Sequence, residues 1–394
     1  MAISGDQRLL KKINRMALIR LLRERPGLSR ADLAIGSGLT KSTVSLLVQE
    51  LIDEHWLRED EVLVTGSIGR RPTPLRLDGR LLTLIGAEIE LGRLNVVGVG
   101  LDGLIVERLG ETFDIDAPPA AVLVQLVELI ARMAQRLGDA GRRAAGVGIA
   151  VPGALQESDG QLLVAPNLGW RKLPMRPLLH EAFARYGLGG MPFFVQNDCD
   201  AAALGEIEFS SGAVPDPLVF IGLGVGVGAG VVVDGRLLRG QRGFAGEVGH
   251  IQLQPDGPPC RCGRHGCAEA YIGVQAVADG CGLTVRDLFA QARGGEPAAV
   301  RAVQAAGQRL GVLMHNLWTT LDPALIVLGG SGCELGPAFL NAASRSFEAF
   351  AQSAGIELPE LRLARHGADA VPVGAAALVL HKLTQPLQAR AQPG

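Results

Sequence analysis

His250, Cys260, Cys262 and Cys267 fall within one short stretch, FAGEVGHIQLQPDGPPCRCGRHGCAE, residues 244–269. One imidazole and three thiols are the donor set that tetrahedral zinc takes as Cys3His. The gaps are tight: Cys-x-Cys, then four residues that include Gly263 and Gly266, then Cys267. Glycine there permits the sharp turns that bring three thiolates to one ion. The competing reading is three buried or disulfide-bonded cysteines. With six Cys in 394 residues and a start, MAISGDQRLLKK, that lacks a signal-peptide apolar core, a reducing compartment and a structural metal are expected instead. Glu247 and Glu269 flank the ligands, and the knuckle would carry both to nearly one place. They would serve there to hold a polar ligand, or they are solvated surface carboxylates.

Elements elsewhere must position this knuckle. A chain of 394 residues exceeds one ordinary core and predicts two or three domains. Hydrophobic residues at 47% with 20% charged residues describe a globular protein with little disorder. No uninterrupted apolar run is long enough to span a bilayer, so a cytoplasmic protein without membrane insertion is expected. The net charge of −2 is unevenly spread: residues 1–80 hold 14 Lys and Arg against 10 Asp and Glu, leaving 24 against 30 for the rest. A basic N-terminal segment on an acidic body points to nucleic acid at that end.

The N-terminal segment carries the matching pattern. Apolar residues Leu9, Leu10, Ile13, Met16, Ile19 and Leu22 recur at helical spacing until Pro26-Gly27. Ser29-Arg30-Ala31-Asp32 has the form of a capping box, and Thr40 can cap a third helix running to about Glu54. Its early residues Lys41, Ser42, Thr43 and Ser45 lie off the apolar stripe, where a second helix of a helix–turn–helix enters the major groove of operator DNA. Trp56-Leu57-Arg58 and Pro74-Leu75-Arg76-Leu77 then read as a winged hairpin, with Arg70 and Arg71 placed for phosphates or a narrow minor groove. The alternative is a protein-docking module with a solvated Arg-Arg loop.

From Leu81 the pattern turns to strands with turns at Leu91-Gly92 and Asp102-Gly103, a helix from about Pro119 to Leu137, and a strand at Gly146–Val151. A similar order returns around PLVFIGLGVGVGAGVVVDGRLLRG, then a helix at about Ala298–Leu321 and a strand at Ala324–Leu328. This predicts an approximate internal duplication, two α/β lobes facing each other across a ligand cleft.

AGEVGH with PCRCGRHGCAE, the glycine run Gly224–Gly230, Pro166-Asn167-Leu168, Asn197-Asp198 and Gly329-Gly330-Ser331-Gly332 together resemble the ROK family of sugar-responsive repressors, open reading frames and sugar kinases. The resemblance covers essentially the whole chain. It implies a winged helix–turn–helix over residues 1–80 and an actin-like, ribonuclease H-like duplicated body. Lobe 1 would span 81–195 and lobe 2, with the zinc knuckle, 196–394, the final helix packing back on lobe 1. Carried over residue by residue, it implies that Asn167, Asn197, Asp198, Glu247, His250 and Glu269 hold sugar hydroxyls, with Gly153 and Trp170 lining the same pocket. His250 would then place one ring nitrogen on zinc and turn the other to the sugar.

The sequence departs from the family's kinases where they bind phosphate. Their Gly-x-Asp-x-Gly-Gly-Thr segment is Gly86-Ala87-Glu88-Ile89-Glu90-Leu91-Gly92 here, and their Gly-Thr-Gly is Gly224-Val225-Gly226. A carboxylate and a leucine replace groups that admit phosphate, so Asp198, where the kinases keep a catalytic base, has no positioned phosphoryl donor to act on. The expectation is a non-enzymatic regulator, most simply a homodimer or homotetramer repressing carbohydrate uptake or catabolism genes until a sugar binds. The alternatives are a sugar kinase with a DNA-binding head, and a regulator sequestered by a transporter or phosphotransfer protein.

Overall fold

The computed structural model describes residues 7–60, 73–157, 159–210 and 212–385. The head opens with α1 (Gln7–Glu24), α2 (Arg30–Ser37) and α3 (Lys41–Asp53), followed by the antiparallel pair β1 (Leu57–Glu59) and β2 (Leu75–Leu77). Ser29 and Asp32 form the capping box, the Asp32 amide donating to the Ser29 hydroxyl and the Ser29 amide to the Asp32 carboxylate. Gly38, at φ 69°, ends α2, and Thr40 caps α3. Leu18, Leu22, Leu33, Val44, Val48 and Leu51 close one small core beneath the three helices. Arg70 and Arg71 lie outside the described residues.

The body repeats one plan twice. In the first lobe β3 (Leu82–Glu90), β4 (Arg93–Gly100) and β5 (Ile105–Thr112) form an antiparallel meander, and α4 (Pro119–Asp139) crosses over to β6 (Arg143–Val151), parallel to β3. A small sheet of β7 (Ala154–Gln156), β8 (Gln161–Ala165) and β9 (Trp170–Pro174) follows, then α5 (Met175–Arg185), β10 (Phe193–Asn197) and α6 (Asp198–Glu208). The second lobe has β11 (Leu218–Leu223), β12 (Val227–Val233) and β13 (Arg236–Leu237). After the knuckle come α7 (Glu269–Ile272), α8 (Val274–Gly280), α9 (Val285–Gly294) and α10 (Pro297–Leu321), then β14 (Leu325–Gly329), α11 (Pro337–Ala354), β15 (Glu360–Leu363) and α12 (Ala370–Thr384). The strand orders are β10-β6-β3-β4-β5 and β15-β14-β11-β12-β13, so the duplication read from the sequence holds at the level of topology. The first sheet keeps its last strand through Asn197, which puts residue 196 inside β10.

Each lobe sends its last helix to the other lobe. α6 follows the first sheet yet packs on β11 and β12, whereas α12 follows the second sheet and lies on β3, β4 and β6. Both contacts are close enough to require bare backbone. A Cβ on Gly148 of β6 would stand 1.7 Å from the Ala375 carbonyl of α12, and one on Gly230 of β12 would stand 2.3 Å from the Cys199 carbonyl of α6.

Those distances set a contrast that can be measured. Gly148→Ala should destabilise by about 1–3 kcal/mol or more, because the methyl meets helix backbone that cannot rotate away. Gly138→Ala, on α4 with nothing within 4 Å of the new carbon, should stabilise by roughly 0.5–1 kcal/mol. Urea midpoints of the two variants would move in opposite directions; equal midpoints would contradict the packing described.

Candidate functional site

A cleft of about 440 Å³ lies between the lobes, floored by the first residues of α6 and α12. The turn Pro166–Leu168 and Gly153 enter from the first lobe, and the glycine loop 222–228, Glu247, His250 and Glu269 from the second. A Cβ on Gly226 would stand 2.6 Å from Asn167 Nδ2 and 2.7 Å from Glu269 Oε2. The two lobes therefore meet at that residue, and the loop must be glycine to let Asn167 approach. Glu269 is buried and its Oε2 accepts the Val227 amide at 3.0 Å.

Asn197 and Asp198 stand where β10 passes into α6. The Asn197 side chain caps the helix by accepting the Asp200 amide at 3.1 Å, and its Nδ2 donates to the Gly153 carbonyl at 3.0 Å. Much of its bonding capacity is thus spent on shaping the cleft wall. Asp198 Oδ1 accepts the Cys199 amide at 2.8 Å. Removal from water pushes the Asp198 carboxyl up to about 6. Glu247 is pushed up to about 7 by burial first, then by Asp198 and Glu269.

The knuckle forms the adjoining wall. The ligand atoms of His250, Cys260, Cys262 and Cys267 all lie within 4.8 Å of one another. Cys260 Sγ is 3.7 Å from His250 Nδ1, and Cys262 Sγ is 3.7 Å from Cys267 Sγ. Thiolates ~2.3 Å from a tetrahedral ion stand about 3.8 Å apart, so the donor set fits a single metal ion. Gly263 and Gly266 have φ of 88° and 68°, a region that favours glycine. His250 turns its other nitrogen, Nε2, toward Glu247 Oε2 at 3.8 Å. One imidazole thus joins the thiol cluster to the cleft.

The far side of the cleft is acidic. Glu88 and Glu90 of β3 and Asp369 before α12 line it, with Arg93 also present. Burial first, and then the Glu90 charge, push Glu88 up to about 8, while Asn95 Nδ2 donates to its Oε2 at 2.9 Å. Asp369 is held by Arg108 Nη2 at 2.9 Å. Burial also raises Glu90, so this side holds acidic groups pushed toward their neutral forms.

Sequence reasoning did not single out Asn95 or Asp369. The Asn95 signal lay in the hairpin register, which sets it opposite Glu88; Asp369 carried none. Trp170, expected to line the pocket, is 5% exposed and packs in the first lobe's core. An indole that size contributes more area to a core than to a polar wall.

On the head, Lys41, Ser42 and Ser45 are exposed at the start of α3. Thr43 is half-buried, and its hydroxyl lies 2.8 Å from that of Thr40 in the cap. The Ser42 hydroxyl also lies 3.0 Å from that of Thr40, so both hydroxyls gather at the helix start beside exposed Lys41 and Ser45.

Comparison with known proteins follows the same division. The IclR helix-turn-helix domain matches residues 15–61 and the ROK family matches residues 93–382. A xylose repressor of Caldicellulosiruptor bescii is 26% identical over 382 residues, 91% of this chain and 94% of the relative. An N-acetylmannosamine kinase of Citrobacter koseri is 34% identical over 296 residues, 74% of this chain and 97% of the relative. The crystal structure of a ROK family transcriptional regulator, a homolog of the E. coli MLC protein, superposes with a TM-score of 0.76 at 27% identity, covering 96% of this chain and 98% of that one. With its duplicated lobes, its cysteine knuckle beside the cleft and a match over most of its length, this chain belongs to the ROK family.

Proposed function

We propose that this chain is a sugar-responsive DNA-binding repressor of carbohydrate uptake or catabolism genes, released from its operator by a sugar bound between the lobes. The observation that carries the reading is the convergence of Asn167, Asp198, Glu247, His250 and Glu269 on one cleft. Neighbouring hydroxyls of a pyranose suit such a set of acceptors and amides. Relatives named xylose repressors match 91% and 86% of the chain, so D-xylose is the first sugar to test. The protein is not an enzyme: Glu88 and Glu90 occupy the segment where a kinase must admit phosphate.

The metal is zinc, held structurally by His250, Cys260, Cys262 and Cys267, one ion per chain. A homodimer would present two α3 helices to operator half-sites about 34–36 Å apart, and a homotetramer would double that arrangement. Among the described residues no helix is long and apolar enough to cross a membrane, in keeping with a cytoplasmic site of action.

Asp198→Asn should weaken sugar binding by roughly 10- to 150-fold, the equivalent of about 1.5–3 kcal/mol for a hydrogen bond to a charged group, and leave operator affinity intact. Calorimetry with D-xylose, alongside fluorescence anisotropy on operator DNA, separates the two; unaltered induction would place the effector elsewhere. Metal analysis should find one zinc per chain, and Cys262→Ser should lower both that content and the sugar affinity. A metal-free protein that remains fully inducible would refute the knuckle's role.

A further inference from the structure

α6 and α12 both begin in the cleft and both end beneath the DNA-binding head. Asp198 opens α6, and Asp369, Val371 and Pro372 mark the start of α12 at the cleft floor. At the far ends, Glu208 closes α6, and His381 with Lys382 lies in the last turn of α12. With 11 and 15 residues the helices span about 16 and 22 Å at 1.5 Å per residue. They cannot slide past each other freely, because a Cβ on Gly374 would stand 2.1 Å from the Ala201 carbonyl. Glu206, buried near the end of α6, is fixed by Arg362 at 2.7 Å and the Arg365 amide at 2.9 Å.

The head meets these ends through one buried carboxylate. Glu208, with a side chain only 2% exposed, pairs with Arg23 in the last turn of α1, and its Oε1 lies 2.7 Å from His381 Nδ1. Burial and the neighbouring cations hold His381 down at about 4, and Arg23 is the permanently charged partner of Glu208. Leaving a buried carboxylate without its partner is strongly unfavourable, so α1 is obliged to follow α6. Motion of α1 reaches the DNA-reading helix through Lys11–Glu50 at 2.7 Å and the Arg15–Glu54 pair, which tie α1 to α3. A groove of about 700 Å³ alongside α1 leaves room for such motion.

We propose that α6 and α12 act as paired rods carrying the state of the cleft to the DNA-binding head, with the Arg23–Glu208–His381 cluster as the contact through which they act. The proposal rests on the repressor reading above and specifies how that cleft is coupled to DNA. Arg23 and Glu208 are positioning residues that touch neither sugar nor operator. Binding linkage then requires that weakening the cluster reduce the mutual influence of the two ligands while leaving sugar affinity in place.

The test uses the full chain, the duplex it selects from a random DNA pool, and whichever of D-xylose, D-glucose or N-acetyl-D-mannosamine gives the largest thermal shift. The ratio of operator dissociation constants with and without that sugar, ~5–150 for the wild type, should drop to about 1–2 in Arg23→Gln and recover in large part in Arg23→Lys. Sugar affinity should stay within about twofold throughout. The isosteric Glu208→Gln carries the same expectation and decides the matter if Arg23→Gln does not fold. A full ratio in the folded uncharged variants overturns this coupling alone. A wild type whose operator binding ignores all three sugars overturns the repressor reading, and this inference with it.

Discussion

The exchange of terminal helices between the lobes is the constraint on which the rest of the molecule depends. Neither five-stranded sheet covers itself with its own last helix: α12 covers the first, and α6 covers part of the second. Glycine strands accept the helices at backbone distance, and the two helices meet each other at Gly205 and Gly374. Because each helix starts at the cleft, the same packing that closes the two cores also fixes the floor of the binding site.

Chemistry follows from that floor. Asp198 stands at the opening turn of α6 with its charge partly suppressed by burial, and Asn197 is spent largely on holding the turn together. The knuckle supplies the opposite wall with a histidine shared between two environments. Metal binding can therefore order the ring that faces an occupant, which is how ligand spheres commonly tune neighbouring groups. On the other side, Glu88, Glu90 and Asp369 line the cleft.

Much of this was legible in the residues alone, for definite reasons. The helices of the head show through their apolar period and their caps, because each buries a single face. The knuckle shows through spacing, since three cysteines and a histidine so close together have few other uses. α6 was not legible. Its sequence DCDAAALGEIE is buried on nearly every side between two sheets, so it lacks an amphipathic stripe, and its glutamates Glu206 and Glu208 suggest a surface. The Glu88–Asn95 pair depended on a hairpin register that composition does not specify, and Trp170 on knowing which side of a small sheet faces the core. What the sequence concealed is mostly what long-range packing decides.

The helix exchange also bears on how the chain is made. β3 to β6 leave the ribosome as a sheet with α4 on one face, long before the helix that covers the other, α12, is made. At ~5–20 residues per second the interval from Val151 to Ala370 lasts roughly 10 to 45 seconds, during which the glycine-lined face that receives α12 stays open. The nascent protein must pass that time without its final partner, so α12 is the piece of the body whose late arrival completes the first lobe.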